Sequence, residues 1–363
     1  MRTNHRIPSN GRRRRVMKSW VTWVLVAAAL SGFAVDAAAG GLDRVGTAGA
    51  QELRIPVGAA GIATGGSTVA LGSGLSNIFY NPASLASTDE SEALVSYSSY
   101  IADTKVNYVA VASHLGSQGE FAFHAKVYSL GDITVTTEAA PEGTGQILSP
   151  SYAVVGMTYG RRMTDRVLLG FTGSYVAEKV ADMKASGFAV DLGVQYDTGW
   201  RGLRFGFAMK NVGPTMHFDG PNLEERVALP GDDPAAQPHV VRLQTAEFEL
   251  PSYLQIGVAY DLAISENRHV GLYGTFQGNN FSTDEYRIGA DVPVGEWLNL
   301  RAGFQGQLAL DSDARMQDYA YSYSYGAGFN FKLGDRPFKF DWAGSHTGDY
   351  FDDLQQISLG ISF

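Results

Sequence analysis

From about residue 94 to the end of this chain, apolar side chains recur at every second position. Phe188, Val190, Leu192, Val194 and Tyr196 alternate with Ala189, Asp191, Gly193 and Gln195. Leu254, Ile256, Val258 and Tyr260 alternate with Gln255, Gly257 and Ala259, and Leu203, Phe205, Phe207 and Met209 alternate with Arg204, Gly206, Ala208 and Lys210. Two residues is the side-chain period of a strand and not of a helix. The interleaved positions constrain the fold further. They are mostly Gly, Ala or Ser, with a few isolated charges, where a soluble sandwich would expose more Lys, Glu and Thr. A barrel lumen accepts small residues and single charges, while the alternate residues face lipid. Charged residues make up only 18% of the chain, against about 25% in soluble domains. The pattern therefore predicts an all-β fold, a transmembrane antiparallel up-and-down β-barrel. A soluble all-β protein is the competing reading.

About fourteen alternating segments can be marked, with approximate spans 94–101, 104–115, 120–129, 150–161, 166–179, 185–197, 201–212, 251–263, 268–278, 284–293, 296–307, 318–332, 337–344 and 353–363. The connections test that count. With both termini on the periplasmic side, every second connection must be a short turn and the others can be long. The segments Arg162 to Asp165, Thr198 to Trp200, Ile264 to Asn267 and Val294-Gly295 are all short, whereas 130–149 and 213–250 are the longest. The long ones carry Pro141, Pro214, Pro221, Pro230, Pro234 and Pro238, and Pro cannot donate to a strand ladder. Tyr159, Tyr196, Trp200, Tyr260, Trp297 and Tyr350 fall near strand ends, where aromatic girdles form.

The first 39 residues differ in kind. Arg12 to Lys18 are a basic stretch, Trp20 to Phe33 an apolar one, and Ala37-Ala38-Ala39 a small-x-small site. The apolar stretch is shorter than the roughly 20 residues of a spanning helix. Residues 1–39 are therefore expected to be a signal peptide cut after Ala39, with Ala37 and Ala39 as the small residues of the site. Met17 would serve equally well as the start. The remainder is strongly acidic, because Arg2, Arg6, Arg12, Arg13, Arg14, Arg15 and Lys18 leave with the leader against Asp36 alone. Such a surface does not attract nucleic acid, whose binding is driven by phosphate neutralisation.

Catalytic and cofactor patterns are missing. Cysteine is absent, so no disulfide, thiolate nucleophile or Cys-ligated metal is available. There is no GxSxG elbow, and the seven His, at 5, 114, 124, 217, 239, 269 and 346, form no HExxH or HxH pair. Gly58-Ala59-Ala60-Gly61 and Gly65-Gly66 lack the spacing of a phosphate loop. Asp311-Ser312-Asp313 lacks the remaining ligands of a calcium loop and reads as a solvated acidic loop. No catalytic residue, metal site or cofactor is expected, and the chain is not read as an enzyme. Asp191, Arg204, Arg287 and Arg301 sit on the lumenal parity of their strands and either line a pathway or pair inside a packed lumen.

Residues 46–86 carry a more specific signal: Gly46-Thr47-Ala48-Gly49-Ala50-Gln51-Glu52-Leu53, then Pro56-Val57-Gly58-Ala59-Ala60-Gly61-Ile62-Ala63-Thr64-Gly65-Gly66, then Asn77-Ile78-Phe79-Tyr80-Asn81-Pro82-Ala83-Ser84-Leu85-Ala86. This resembles the N-terminus of the PorV/PorQ family of outer-membrane proteins, relatives of FadL-type transporters. The resemblance implies about fourteen strands preceded by a short plug, and so a division into signal peptide 1–39, Gly/Ala-rich plug segment 40–92 and barrel 93–363. Gly and Ala allow close packing inside a lumen, and Pro82 drives Asn81 out of the helical region. Asn81, Pro82, Ala83 and Leu85 are thus expected where the plug bends towards the first strand.

Function is implied by the resemblance alone. It points to a bacterial outer-membrane component of type IX protein secretion that receives or shuttles cargo bearing a C-terminal sorting domain. Partners would then be outer-membrane lipid, the barrel-assembly machinery, the type IX translocon and secreted cargo. The alternative is a FadL-like channel for hydrophobic small molecules, which predicts an apolar pocket near the plug and a lateral opening in the wall. A membrane enzyme is a third, weaker reading. Ile357, Leu359, Ile361 and Phe363 are expected to face lipid on the closing strand and to resemble the signal read by the assembly machinery.

Overall fold

A computed structural model describes residues 44–71, 73–227, 237–265, 268–307, 323–347 and 351–363. The leader with Ala37 and Ala39, the acidic residues 311–313 and Tyr350 lie outside the described residues. Fourteen antiparallel strands close into one barrel. They are β1 (Glu92–Ser99), β2 (Lys105–His114), β3 (Glu120–Ser129), β4 (Ser151–Thr164), β5 (Val167–Val180), β6 (Met183–Asp197), β7 (Leu203–Val212), β8 (Tyr253–Ser265), β9 (Arg268–Asn279), β10 (Glu285–Val294), β11 (Leu298–Gln307), β12 (Tyr323–Leu333), β13 (Arg336–Ser345) and β14 (Leu354–Ser362). Each pairs with its neighbour in sequence, and β14 closes on β1 with Leu359 opposite Val95 and Ile357 opposite Tyr97. Closure leaves no unpaired edge, the condition for a sheet to sit in lipid.

The two faces are inverted relative to a soluble protein. On β1 and β14, Val95, Tyr97, Ile357 and Leu359 are exposed, while Ser96, Ser98, Gln356 and Ser358 are buried. Phe123, Val155, Phe171, Phe188, Ile256 and Ile288 continue the exposed apolar band around the wall. Water would not tolerate a continuous band of this kind, whereas hydrocarbon requires it. Trp200 and Trp297 are exposed near one rim. Short turns collect at that rim, and the connections 130–150 and 213–252 collect at the other. Each long connection carries a small hairpin, pairing Ile133 with Leu148 and Glu224 with Arg242. These hairpins are too short and too exposed to leave an alternation in the sequence.

Residues 44–91 run through the lumen from the long-loop rim to the short-turn rim. Arg44 is held at the long-loop rim by Glu249 at 2.7 Å, with its guanidinium over the Phe281 ring. A short helix, α1 (Ala59–Ala63), packs against the wall, where Ala59, Ala63 and Ala343 are fully covered. Ile55, Val57, Leu75, Ile78 and Leu85 form an apolar core with Leu94, Val106 and Tyr108 of β1 and β2. Wall glycines make room for the plug backbone. A Cβ on Gly303 would stand 2.1 Å from the Gly65 nitrogen, closer than van der Waals contact allows. The small residues that alternate along the strands are therefore the imprint of the plug.

Candidate functional site

The plug does not fill the lumen. Beside it, towards the long-loop rim, lies a cavity of about 480 Å³, within the range of small-molecule sites. It lies at that rim because its lining comes from the loop-side ends of the strands: Ser98, Tyr128, Tyr152, Tyr253 and Leu354. The plug supplies Arg54, Ile55, Pro56, Phe79 and Tyr80. One wall is aromatic: the Tyr100 and Tyr128 rings meet edge-on at 5.9 Å, and Tyr128 lies 5.9 Å from Tyr152.

Two guanidiniums of the cavity are tied to one carboxylate. Arg54 donates from Nη2 to Glu285 Oε1 at 2.8 Å and from Nη1 to Ser282 Oγ at 3.2 Å. Arg287 donates from Nη2 to the other Glu285 oxygen at 2.7 Å. One carboxylate thus bridges a plug guanidinium and a wall guanidinium, and charge assistance makes these among the stronger contacts of the lumen. Glu285 also anchors a line of amides. Asn279 Nδ2 donates to Glu285 Oε1 at 3.1 Å, Gln277 Nε2 to Asn279 Oδ1 at 2.7 Å, and Gln255 Nε2 to Gln277 Oε1 at 2.7 Å.

Glu52, at the cavity's edge on the plug, is buried with both carboxyl oxygens lacking a donor. Burial, reinforced by the facing Glu178 carboxyl, pushes its pKa up to about 8. The plug backbone at this point is held by Lys126, whose Nζ donates to the carbonyls of Glu52 at 2.6 Å and Ile55 at 3.1 Å.

The expected site residues fall in three places. Asn81, Pro82, Ala83 and Leu85 are buried in the plug, ahead of β1. Asn81 is extended, caps the turn Pro82–Ser87 by accepting from the Ala83 nitrogen, and sends Nδ2 to the carbonyls of Val69, Val194 and Phe207. Ile357, Leu359 and Phe363 lie exposed on the outer surface, Ile361 is partly covered, and the Phe363 nitrogen donates to the Ser91 carbonyl. The four lumenal charges are all paired: Asp191 with Lys210, Arg204 with Asp261, Arg301 with Asp291 and Asp341, and Arg287 with Glu285. Of these four, only Arg287 reaches the cavity. The alternation did not single out Arg54, Gln277, Asn279 and Glu285. Gln277 and Glu285 fall within expected strands, but nothing in one sequence shows which rim they share or that Arg54 of the plug meets them.

The wall is continuously paired, with one irregularity away from the strand ends among the described residues. Between β6 and β7 the register shifts between Val190 and Leu192. The extra residue falls beside Asn211, which is left-handed at φ 58°. Asp191 closes the gap, accepting from Lys210 Nζ at 2.5 Å and from the Asn211 nitrogen at 2.7 Å. A space of about 40 Å³ lies behind it. The FadL-like alternative predicts a lateral opening. Among the described residues the wall has a bulge at this position, bridged by the Asp191–Lys210 pair, and no opening. A pocket beside the plug is present, but its lining mixes tyrosine, glutamine and charged side chains and is not wholly apolar.

No family model and no curated protein matches the sequence. Solved structures do. The fold they share with this chain is the closed antiparallel β-barrel. A TodX monoaromatic hydrocarbon channel carrying the deltaS2S3 mutation superposes with a TM-score of 0.52 at 14% identity, over 84% of this chain and 97% of that one. The CymD monoaromatic hydrocarbon channel superposes with a TM-score of 0.51 at 13% identity, over 84% and 96%. A Pseudomonas aeruginosa FadL homologue aligns at 0.49 and 12% identity, over 85% and 98%. At these identities the likeness establishes the barrel fold. The PorV/PorQ assignment rests on residues 46–86 alone.

Proposed function

We propose that this protein is a FadL-like channel that carries a small, largely apolar molecule across the bacterial outer membrane. The observation that carries this reading is the cavity of about 480 Å³ between the plug and the wall, near the long-loop rim and walled on one side by aromatic rings. The two hydrocarbon channels that share the fold support it. No step requires catalysis. The molecule leaves bulk water for ring faces, is held beside the plug, and passes when the plug or the bulged seam yields. Deleting the gene is expected to reduce accumulation of radiolabelled toluene or p-cresol by intact cells severalfold, with restoration by the full chain in trans. Unchanged accumulation of both compounds would refute the reading.

The type IX reading is the second possibility, motivated by residues 46–86. It expects sorting-domain proteins to accumulate in the periplasm of the same deletion strain. Normal secretion together with reduced uptake would decide between the two.

A further inference from the structure

We infer that the ligand of this cavity is an aromatic compound bearing at least one hydroxyl, not a plain hydrocarbon. This inference rests on the channel reading above and narrows its substrate.

The first ground is the lining. Besides the tyrosines, the lining includes Gln51, Gln305, Gln307 and Arg54. A hydrocarbon pressed into this space would strip water from amides and phenols and offer no hydrogen bond in return. Leaving buried polar groups unpaired is the strongest way a site rejects a ligand. A ring that stacks on the tyrosines and carries its own polar group avoids that cost.

The second ground is the polarity of the amide line. Ionised Glu285, also bound by Arg54 and Arg287, can only accept. Asn279 must therefore turn its nitrogen towards Glu285, Gln277 its nitrogen towards Asn279, and Gln255 its nitrogen towards Gln277. The orientation of every amide follows from the carboxylate at one end. At the other end the line terminates in an acceptor, Gln255 Oε1, which receives no hydrogen bond from the protein. Gln356 lines the cavity from β14, its Nε2 donating to Ser96 Oγ at 2.7 Å, and its Oε1 is also without a donor. The Tyr80 hydroxyl is buried and unpartnered on the plug side. The unmatched oxygens of the lining are thus those of Gln255, Gln356 and Tyr80, with both carboxyl oxygens of Glu52 at the cavity's edge, and the complementary ligand supplies donors. A small turn about the soft terminal torsion of a glutamine brings its oxygen onto the ligand hydroxyl. Both cavity guanidiniums already hold an oxygen of Glu285, so neither lacks an anionic partner.

The test compares p-cresol with toluene, which differ by one hydroxyl. The full chain is purified in detergent, binding is measured by calorimetry, and partitioning into protein-free micelles is subtracted. We expect p-cresol to bind at least tenfold more tightly. In Gln255→Leu/Gln356→Leu the preference should fall below threefold. Tyr80→Phe, a milder change, should weaken p-cresol severalfold and leave toluene unchanged; it covers the case in which the double variant fails to assemble. Equal or tighter toluene binding, binding of neither compound, or a preference unaltered in the assembled variants would each overturn the inference. Toluene binding without preference, combined with reduced cell uptake on gene deletion, would leave the channel reading intact while this one falls.

Discussion

Asn81 Oδ1 stands where it leaves no room for a side chain on Gly193: a Cβ built there would lie 2.0 Å away. The plug and β6 are in direct backbone contact at this point, and the neighbours that would have to move are backbone and a fully buried side chain. Gly193→Ala should therefore cost about 1–3 kcal/mol, the usual scale of overpacking. The temperature at which gel migration changes on heating should drop. An unchanged transition would show that the plug can shift freely at Asn81.

Asn81 itself ties three backbone carbonyls, those of Val69, Val194 and Phe207, across the plug and two wall strands. Asn81→Ala removes this three-way tie, leaving Val69 only its bond from Gln195 Nε2, and should cost about 1–3 kcal/mol. Asn81→Asp keeps the shape but replaces the donor with a fourth acceptor beside the three carbonyls, and should be at least as damaging. Urea unfolding in detergent micelles measures both, and Asp behaving like the wild type would contradict the assigned contacts.

The β6–β7 seam depends on Asp191. Removing it in Asp191→Ala leaves the buried Lys210 ammonium unpaired and the Asn211 nitrogen without its acceptor. Breaking a buried pair from one side costs about 3–5 kcal/mol. Asp191→Ala/Lys210→Met should recover part of that loss. A double-mutant cycle in urea separates the pair from the individual side chains, and no recovery would show that Asp191 acts through Asn211 alone.

Glu52 makes stability depend on pH in a defined direction. Its pKa is raised from an ordinary 4.5 to about 8 by burial and by the facing Glu178 carboxyl. Between those values the folded chain holds a proton that the unfolded chain has released, so this group lowers stability as pH rises from 4.5 to 8 and adds no further slope above that. Glu52→Gln should flatten this part of the profile. Measuring the heat-modification midpoint from pH 4.5 to 9 in wild type and variant checks it; identical slopes would remove Glu52 as the cause.

The barrel was legible because its information is local. Alternation along Phe188 to Tyr196 states which face each side chain takes, and prolines at 221 and 238 mark a connection that cannot be wall. The site was not, because its contacts join residues far apart in the chain. Arg54 meets Glu285 across 231 positions, and Asn81 meets Phe207 across 126. Lumenal parity placed Arg204, Arg287 and Arg301 on the same side of the wall without indicating height, and height decides which of them faces the cavity. The hairpins at 133–148 and 224–242 escaped for a different reason: two or four exposed residues per strand leave no alternation to detect.

The course of residues 44–91 also couples distant parts of the wall. This segment precedes β1, reaches from one rim to the other, and is gripped by β5, β6, β7, β10 and β11 through contacts such as those at Gly193 and Gly303. β6 and β11 are not neighbours in the ring, yet both touch the same filament. A shift of the plug along the lumen is therefore felt on both sides of the barrel at once, and the plug acts as a keel to which the wall is fastened.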